Sequence, residues 1–386
     1  MKKLVIFILI FIAFYFSVNN SVVFAGEQAS QEETIDKIIS GINESDFENL
    51  IEIINELLGE NLTLKEVIIK FLTGDISINI NGIFSYFKSK INGFFALGGK
   101  LIIYVLIIGL VFNLANIISS KNADNNAKYV INFIAISISV TIIFKVIESV
   151  FLRVETQLNN LTKITEVIFP VMFSISGLIG DFGVTIIKPF TAFLSVIVSA
   201  LSFNFFIPLL RMEASLSVLS NLSDTVKLDG LKKSVSSFFK WSLLLISGLY
   251  SLMLGGQSLV NAQYNGVSVK ILKYITGSVI PIVGGFLSGG MEVLISSAVL
   301  IKNSIGLIAL IYILLTVILT AVEILIFSLL IKFMASLFEP VVDAKYYKLI
   351  IGVTDVFNSL VALLFVCGFI FILTVLFTIT ATSNIF

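Results

Sequence analysis

Long apolar stretches separated by short polar joints set the pattern of this chain. Such a stretch can cross a bilayer as one helix when it holds about 20 mostly apolar residues. Eight stretches qualify, at 94–118, 129–151, 164–187, 189–210, 238–262, 274–301, 303–331 and 349–378. The pattern therefore predicts an all-α, polytopic transmembrane helical protein with six to eight spans, the number depending on two stretches that are interrupted.

The two interrupted stretches are Val167–Asp181 and Ser278–Glu292. Each has a proline, then a run rich in small residues, then an acid eleven positions after the proline. A carboxylate costs a few kcal/mol in lipid even on mild scales, so both acids are expected to face protein or water. Paired interrupted segments also point to an internal site in a membrane protein. We predict helix breaks at Pro170, Pro281, Gly284, Gly285, Gly289 and Gly290.

The spacing of these segments also predicts an internal repeat. A shift of 111 residues places Pro170 on Pro281 and Asp181 on Glu292. Neighbouring spans overlay under the same shift, so the predicted repeat units are 129–210 and 238–331. The chain has eight spans if the interrupted segments cross the membrane and six if they are re-entrant. The distribution of Lys and Arg near span ends leans toward the re-entrant form.

Five charged residues within the apolar runs are candidates for an intramembrane pathway or for packing. Asp181 and Glu292 belong to the interrupted segments, and Glu323 lies deep in its span with no partner near it in the sequence. Lys145 and Glu148 are three residues apart, on one helix face, and could form an ion pair. The alternative to a pathway role is a hydrogen-bonded carboxyl that only holds helices together.

The polar joints between spans predict loops and interfacial segments. Leu152–Lys163 is expected to be a short polar loop. Arg211–Lys240 combines regularly spaced leucines with lysines, which predicts an interfacial amphipathic helix or pair of helices broken at Asp229-Gly230. Lys188 and Lys302 lie near probable span ends and are expected to snorkel to the interface.

The N-terminus has the features of a signal peptide over residues 1–25. Lys2 and Lys3 precede the 13-residue apolar run Leu4–Phe16, which is too short for a comfortable span. Small side chains at Val23 and Ala25 suit a signal peptidase, so cleavage after Ala25 is predicted. The alternative is an uncleaved signal anchor, and in both cases the next segment lies across the membrane from the cytosol.

That next segment, residues 26–93, differs in composition from the rest. Residues 27–60 carry ten acids and one base, a local charge of −9. Apolar residues recur at helical spacing over 47–58 and again over 64–71. Short amphipathic helices cannot bury their apolar faces alone. We therefore predict an acidic extracytoplasmic helical segment that caps the membrane body or docks a basic partner, followed by a polytopic membrane domain over 94–386.

The amino-acid composition argues against an enzyme. The chain is 57% hydrophobic and 13% charged, against roughly 25% charged in an ordinary soluble domain. It has no histidine, the usual general base and zinc ligand, and no phosphate-binding lysine loop. The net charge is zero, so there is no basic footprint for nucleic acid. We predict no enzyme activity, no cofactor and no metal site.

Residues Asn261–Gly306 closely resemble the stage III sporulation protein AE family of endospore-forming bacteria. FPVMFSISG at 169–177, IIKPF at 186–190 and SLFEPVVD at 336–343 support the resemblance. It implies a multi-pass protein of the mother-cell membrane around the forespore, in the channel or export apparatus that links the two cells. The implied partners are the lipid bilayer and the other stage III sporulation A proteins, including an ATPase and ring-forming subunits.

The sequence thus predicts an integral membrane subunit of a sporulation channel or export apparatus. A stand-alone secondary transporter is the first alternative, because interrupted spans with buried carboxylates suit one equally well. A structural membrane platform for ring subunits is the second.

Overall fold

The computed structural model of the chain describes residues 51–73 and 103–118 in part, and residues 125–178, 196–222, 228–253, 284–338 and 344–380 throughout. The regular structure of these residues is entirely helical. The helices are α1 (Leu64–Thr73), α2 (Asn125–Leu178), α3 (196–222), α4 (Asp229–Met253), α5 (Gly284–Phe338) and α6 (Ala344–Thr380).

Five helical segments of the described residues are long and apolar enough to cross a membrane. They are Phe133–Ile175, Val196–Ser220, Asp229–Met253, Val299–Leu337 and Tyr347–Ile379. This confirms the predicted all-α polytopic architecture. The repeat units stay a prediction, because residues 179–195 and 254–283, which would carry the comparison, lie outside the described residues.

Two of the helices are far longer than a single bilayer span. α2 has 54 residues and α5 has 55, which corresponds to about 80 Å each at 1.5 Å per residue. The predicted loop at Leu152–Lys163 is wrong, because this stretch is the middle of α2. The segment has no glycine or proline to end a helix, and several of its polar side chains find partners on neighbouring helices.

The predicted helix breaks do not end these helices where the backbone is described. Pro170 lies inside α2, which continues to Leu178. α5 begins at Gly284 and runs on through Gly285, Gly289 and Gly290. Proline and glycine are tolerated in transmembrane helices because neighbouring groups satisfy the freed backbone. Pro170 leaves the Glu166 carbonyl without its intrahelical donor, and the Ser174 hydroxyl donates a hydrogen bond to a different carbonyl, that of Pro170, at 2.7 Å. Pro281 lies outside the described residues.

α2, α5 and α6 form the centre of the bundle. α2 runs antiparallel to α5, since Arg153 contacts Glu323, whereas Met172, further along α2, approaches Gly306, which is earlier in α5. α6 returns antiparallel along α5. A Cβ placed on Gly368 of α6 would lie 2.8 Å from a methyl carbon of Val317 on α5, so the two helices approach closely there. Small residues at such crossings are typical of membrane helix packing.

α3 and α4 cover one side of this centre. α3 contains a π-helical turn, Ser202–Phe206, where the Ser202 hydroxyl lies 3.3 Å from the sulfur of Cys367 on α6. Phe206 packs edge-on against Phe239 of α4, with ring centroids 5.8 Å apart. α3 and α4 are therefore one antiparallel pair, and α4 begins at Asp229, in agreement with the predicted pair of helices broken at Asp229-Gly230. The interfacial location of residues 211–220 and 231–240 stays a prediction. Both segments have long apolar neighbours in the same helix.

The described part of the N-terminal segment packs on this body. Thr63 and Glu66 cap α1 reciprocally, and the Thr63 N–H donates to the Glu66 carboxylate at 2.8 Å. That backbone hydrogen bond, with one from the Thr63 hydroxyl, lowers the pKa of Glu66. Val67 and Ile68 are buried in the same hydrophobic cluster as residues of α2, α5 and α6. The predicted amphipathic helix at 64–71 is thus confirmed. The signal peptide and residues 26–50 and 74–93 lie outside the described residues and stay predictions.

Candidate functional site

α2 has an exposed polar face along much of its length. Its opposite side is apolar and buried, with Phe151, Val154 and Leu158 almost or fully excluded from solvent. The exposed polar residues are three, four or seven positions apart, so they share one side of the helix, where Leu152 is also exposed. We call them the polar face of α2: Thr141, Lys145, Ser149, Thr156, Asn159, Lys163 and Glu166.

The outward surface of α4 is apolar in its second half, whereas its first half exposes Lys233, Ser237 and Lys240. On α4, Trp241 and Leu244 are each 70% exposed and Leu252 is 74% exposed. On α5, Leu329 and Phe333 are also exposed. The polar face of α2 therefore contrasts with the apolar outward surfaces of α5 and of the second half of α4.

The polar face lies at the depth of the most apolar part of the bundle. Arg153 and Gln157 of α2 contact Glu323 and Thr320 of α5. Both partners are near the middle of the apolar stretch Val299–Leu337. The hydrocarbon core of a bilayer is about 30 Å thick and takes about 20 helical residues. A bilayer centred on that stretch therefore surrounds the part of α2 that carries Thr156, Asn159 and Lys163.

Glu323 is held by a bidentate ion pair with Arg153. The Arg153 Nε and Nη2 atoms donate to the two carboxylate oxygens at 3.0 and 2.5 Å. The Glu323 side chain is 16% exposed and that of Arg153 is 45% exposed. The fork of the guanidinium matches the carboxylate geometry, which makes this the stronger kind of charged contact. Glu323 was predicted as a pathway or packing residue, and its contacts are those of a residue that joins α2 to α5.

A second arginine joins α2 to α3. The Arg211 Nη1 and Nη2 atoms donate to Glu148 at 2.8 and 3.2 Å, and Nη2 also donates to Glu155 at 2.9 Å. The guanidinium carbon lies 5.1 Å from the ring centroid of Phe151. Glu148 thus pairs with Arg211, and the predicted Lys145–Glu148 pair is wrong. Lys145 lies on the polar face instead.

These two arginines are the chain's whole complement of that residue type; its other bases are lysines. Arginine suits paired sites inside a bundle because it stays charged and bonds carboxylates with two donors. Arg153 and Arg211 were not among the residues predicted from the sequence, although their rarity was a signal that could have marked them.

Lys302 does not reach the interface as predicted. It is fully buried, at 0% exposure, and its Nζ donates to the carbonyl of Ile379 at 3.0 Å. Ile379 is in the last turn of α6, where helix carbonyls lack intrahelical donors and carry the negative end of the dipole. The lysine therefore joins α5 to the end of α6.

Glu213 is a buried acid that the sequence analysis missed. It is 1% exposed, on α3, and its Oε2 atom has no hydrogen-bond partner among the described residues. The nearby Lys232 lies 3.8 Å from Asp355. No local pattern distinguishes Glu213, because the serines and lysines near it come from α4 and α6.

The two acids of the interrupted segments are not placed. Asp181 lies outside the described residues, and for Glu292 only the helical backbone of α5 is described. Their predicted role as pathway or packing residues stays a prediction.

A groove between α2 and α3 opens at the lower-numbered end of α3, next to the polar face. Its volume is about 620 Å³. It is lined by Thr162, Thr165, Glu166, Phe169, Pro170, Phe173, Ser174, Val196, Ser199, Ala200, Phe203 and Asn204. The Thr162 hydroxyl donates to Ser199 at 3.3 Å, which joins its two walls.

Long apolar helices, arginine–carboxylate pairs between them and a polar face at mid-depth define an all-α polytopic membrane protein. The chain belongs to the stage III sporulation protein AE family, whose profile matches residues 62–382. It is 20% identical over 280 residues to stage III sporulation protein AE of Bacillus subtilis (strain 168), covering 72% of this chain and 69% of that protein. No solved structure matches the chain significantly. The family predicted from the residues is confirmed.

Proposed function

We propose that this protein is an integral membrane subunit of the channel or export apparatus that links mother cell and forespore during sporulation. Membership of the stage III sporulation protein AE family supports a sporulation role, and the five apolar helices support a multi-pass location. The observation that carries the proposal is the polar face of α2.

The polar face is costly to leave against lipid. A lysine or an acid at the bilayer centre costs about 2.5–3.5 kcal/mol on insertion scales. The face extends from Thr141 to Glu166, which corresponds to about 38 Å along the helix and so exceeds the hydrocarbon thickness of about 30 Å. A polar strip of this length, interrupted by the exposed Leu152, suits the wall of an aqueous path better than an isolated binding site.

The arginine pairs fit a supporting role in this proposal. Arg153 and Arg211 attach α2 to α5 and α3, so the helix that carries the polar face has fixed depth and rotation. The path would be completed by further copies of this chain or by other stage III sporulation A proteins, with the ATPase and ring subunits outside the membrane. The mother-cell membrane around the forespore is the proposed location.

The proposal is tested by making the polar face apolar. A chain with Thr156, Asn159 and Lys163 changed to leucine should insert and accumulate normally but fail to sustain late forespore gene expression. The matched control changes Leu244, Leu245 and Leu252 on the outward surface of α4 to alanine. Expression is measured with a late forespore reporter, and the protein level by immunoblot of membranes.

Three outcomes are distinguishable. Loss of reporter expression in the leucine variant alone supports the channel subunit. Normal expression in that variant contradicts a wall-forming face and favours a structural platform. Substrate transport by the purified chain alone, in proteoliposomes, would favour the stand-alone transporter.

A further inference from the structure

The groove between α2 and α3 presents hydrogen-bond acceptors. The hydroxyls of Thr165 and Ser174 each donate to a backbone carbonyl of α2, at 2.7 Å to Thr162 and 2.7 Å to Pro170. With their hydrogens turned into the helix, these side chains offer oxygen lone pairs to the groove.

Glu166 adds a negative charge to this acceptor surface. It is exposed, and it forms no ion pair with any residue that the structure describes. The described residues that line the groove include no lysine or arginine. A carboxylate at this position in a membrane body calls for a cationic or strongly donating partner.

Backbone irregularities on both walls add to the acceptor character. Pro170 has no N–H, so it gives no hydrogen bond to the Glu166 carbonyl one turn earlier. Across the groove, Phe203 and Asn204 belong to the π-helical turn Ser202–Phe206. Such turns occur frequently at functional sites.

We propose that this groove binds an alkylammonium group, with the ammonium at Glu166 and the hydroxyl oxygens, and the alkyl part against the phenylalanine rings. The rings of Phe169, Phe173 and Phe203 line the groove and favour both an apolar chain and a cation over their faces. The volume of about 620 Å³ lies within the range of about 300–1,000 Å³ that small-ligand sites occupy. The site does not depend on the proposed channel function.

The binding experiment uses the full chain in nanodiscs of phosphatidylcholine and phosphatidylglycerol, which contain no primary amine. The probe is dansylcadaverine, a fluorescent pentylamine, and the matched neutral probe is the same dansyl compound with a terminal hydroxyl. We expect saturable binding of the amine above that to empty nanodiscs. The Glu166→Gln variant should bind it about tenfold more weakly or worse, because a hydrogen bond to a charged group is lost.

Lys163→Gln is the matched control variant, because Lys163 is an exposed charge one turn away and does not line the groove. It should bind the amine as well as the wild type does or more tightly. Both variants change exposed residues, and their melting temperatures verify folding. Equal binding of the amine and its hydroxyl analogue, or unchanged binding by the Glu166→Gln variant, would overturn the proposal.

The same assay distinguishes two sources of the amine. If nanodiscs that contain phosphatidylethanolamine suppress binding of the probe, the source is a lipid headgroup. If they do not, while spermidine in solution competes, the source is a soluble amine. Either result supports an alkylammonium site.

Discussion

The pair between Arg153 and Glu323 gives the most quantitative prediction for the fold. Changing Arg153 to methionine keeps a long apolar stem but removes both donors, which lie 3.0 and 2.5 Å from the carboxylate oxygens. Truncating one partner of a buried pair costs about 3–5 kcal/mol, and an exposed pair is worth about 0.2–1 kcal/mol. Glu323 is 16% exposed and Arg153 is 45% exposed, so we expect a coupling of about 1–2 kcal/mol, between these limits.

The coupling is measured by a double-mutant cycle of Arg153→Met, Glu323→Gln and the double variant. The free energy of unfolding of the purified full chain in bicelles is the observable, since contacting residues reveal their interaction as non-additivity. Lys163→Gln is the control and should change stability by less than about 0.5 kcal/mol, as most surface substitutions do. A coupling energy of zero would refute the reasoning that this pair joins α2 to α5.

Three further predictions concern packing, capping and topology. Gly368→Leu should destabilise the protein by about 1–3 kcal/mol, because even a Cβ at this position would lie 2.8 Å from a methyl carbon of Val317. Gly248→Ala is the control and should not destabilise the protein, because there is open space around Gly248. Equal melting temperatures of the two variants would contradict this. The cap formed by Glu66 stabilises α1 at pH values above 4.5, the ordinary pKa of Glu66. This stabilisation is lost as the pH falls through the lower pKa that Glu66 has in the folded protein. The wild type should therefore have a higher melting temperature than the Glu66→Gln variant at pH 6. At a pH below the folded-state pKa of Glu66, the two melting temperatures should be equal. A difference in melting temperature that does not change with pH would disprove the cap. A cysteine at Ser45 should react with an impermeant label only from the extracytoplasmic side; labelling that requires opening the cytosolic face would exclude export.

The length of the apolar stretches was enough to predict the membrane class, and apolar periodicity was enough to predict the position of α1. Leu64, Val67 and Ile68 were placed on one helix face from their spacing, and all three are buried. Local spacing carries that information because a helix repeats every 3.6 residues. The family was also identified from short stretches of sequence.

The joints and charged partners could not be predicted in the same way. Leu152–Lys163 is polar, and a polar run between apolar ones is typical of a loop. It stays helical here because partners come from far along the chain: Glu323 is 170 residues from Arg153, and Arg211 is 63 residues from Glu148. Pairings of this range leave no local pattern, although the choice of arginine rather than lysine at these two positions was a usable clue.

Water access along α2 tests the central claim most directly. In a Cys367→Ala background, single cysteines replace Thr156 and Asn159 on the polar face and Leu244 on the lipid-facing surface of α4. Sporulating cells are treated with a charged methanethiosulfonate reagent, which modifies thiolates in water and not in hydrocarbon. We predict rapid modification at positions 156 and 159 and slow modification at 244. Equally slow modification at all three positions would contradict an aqueous path along the polar face.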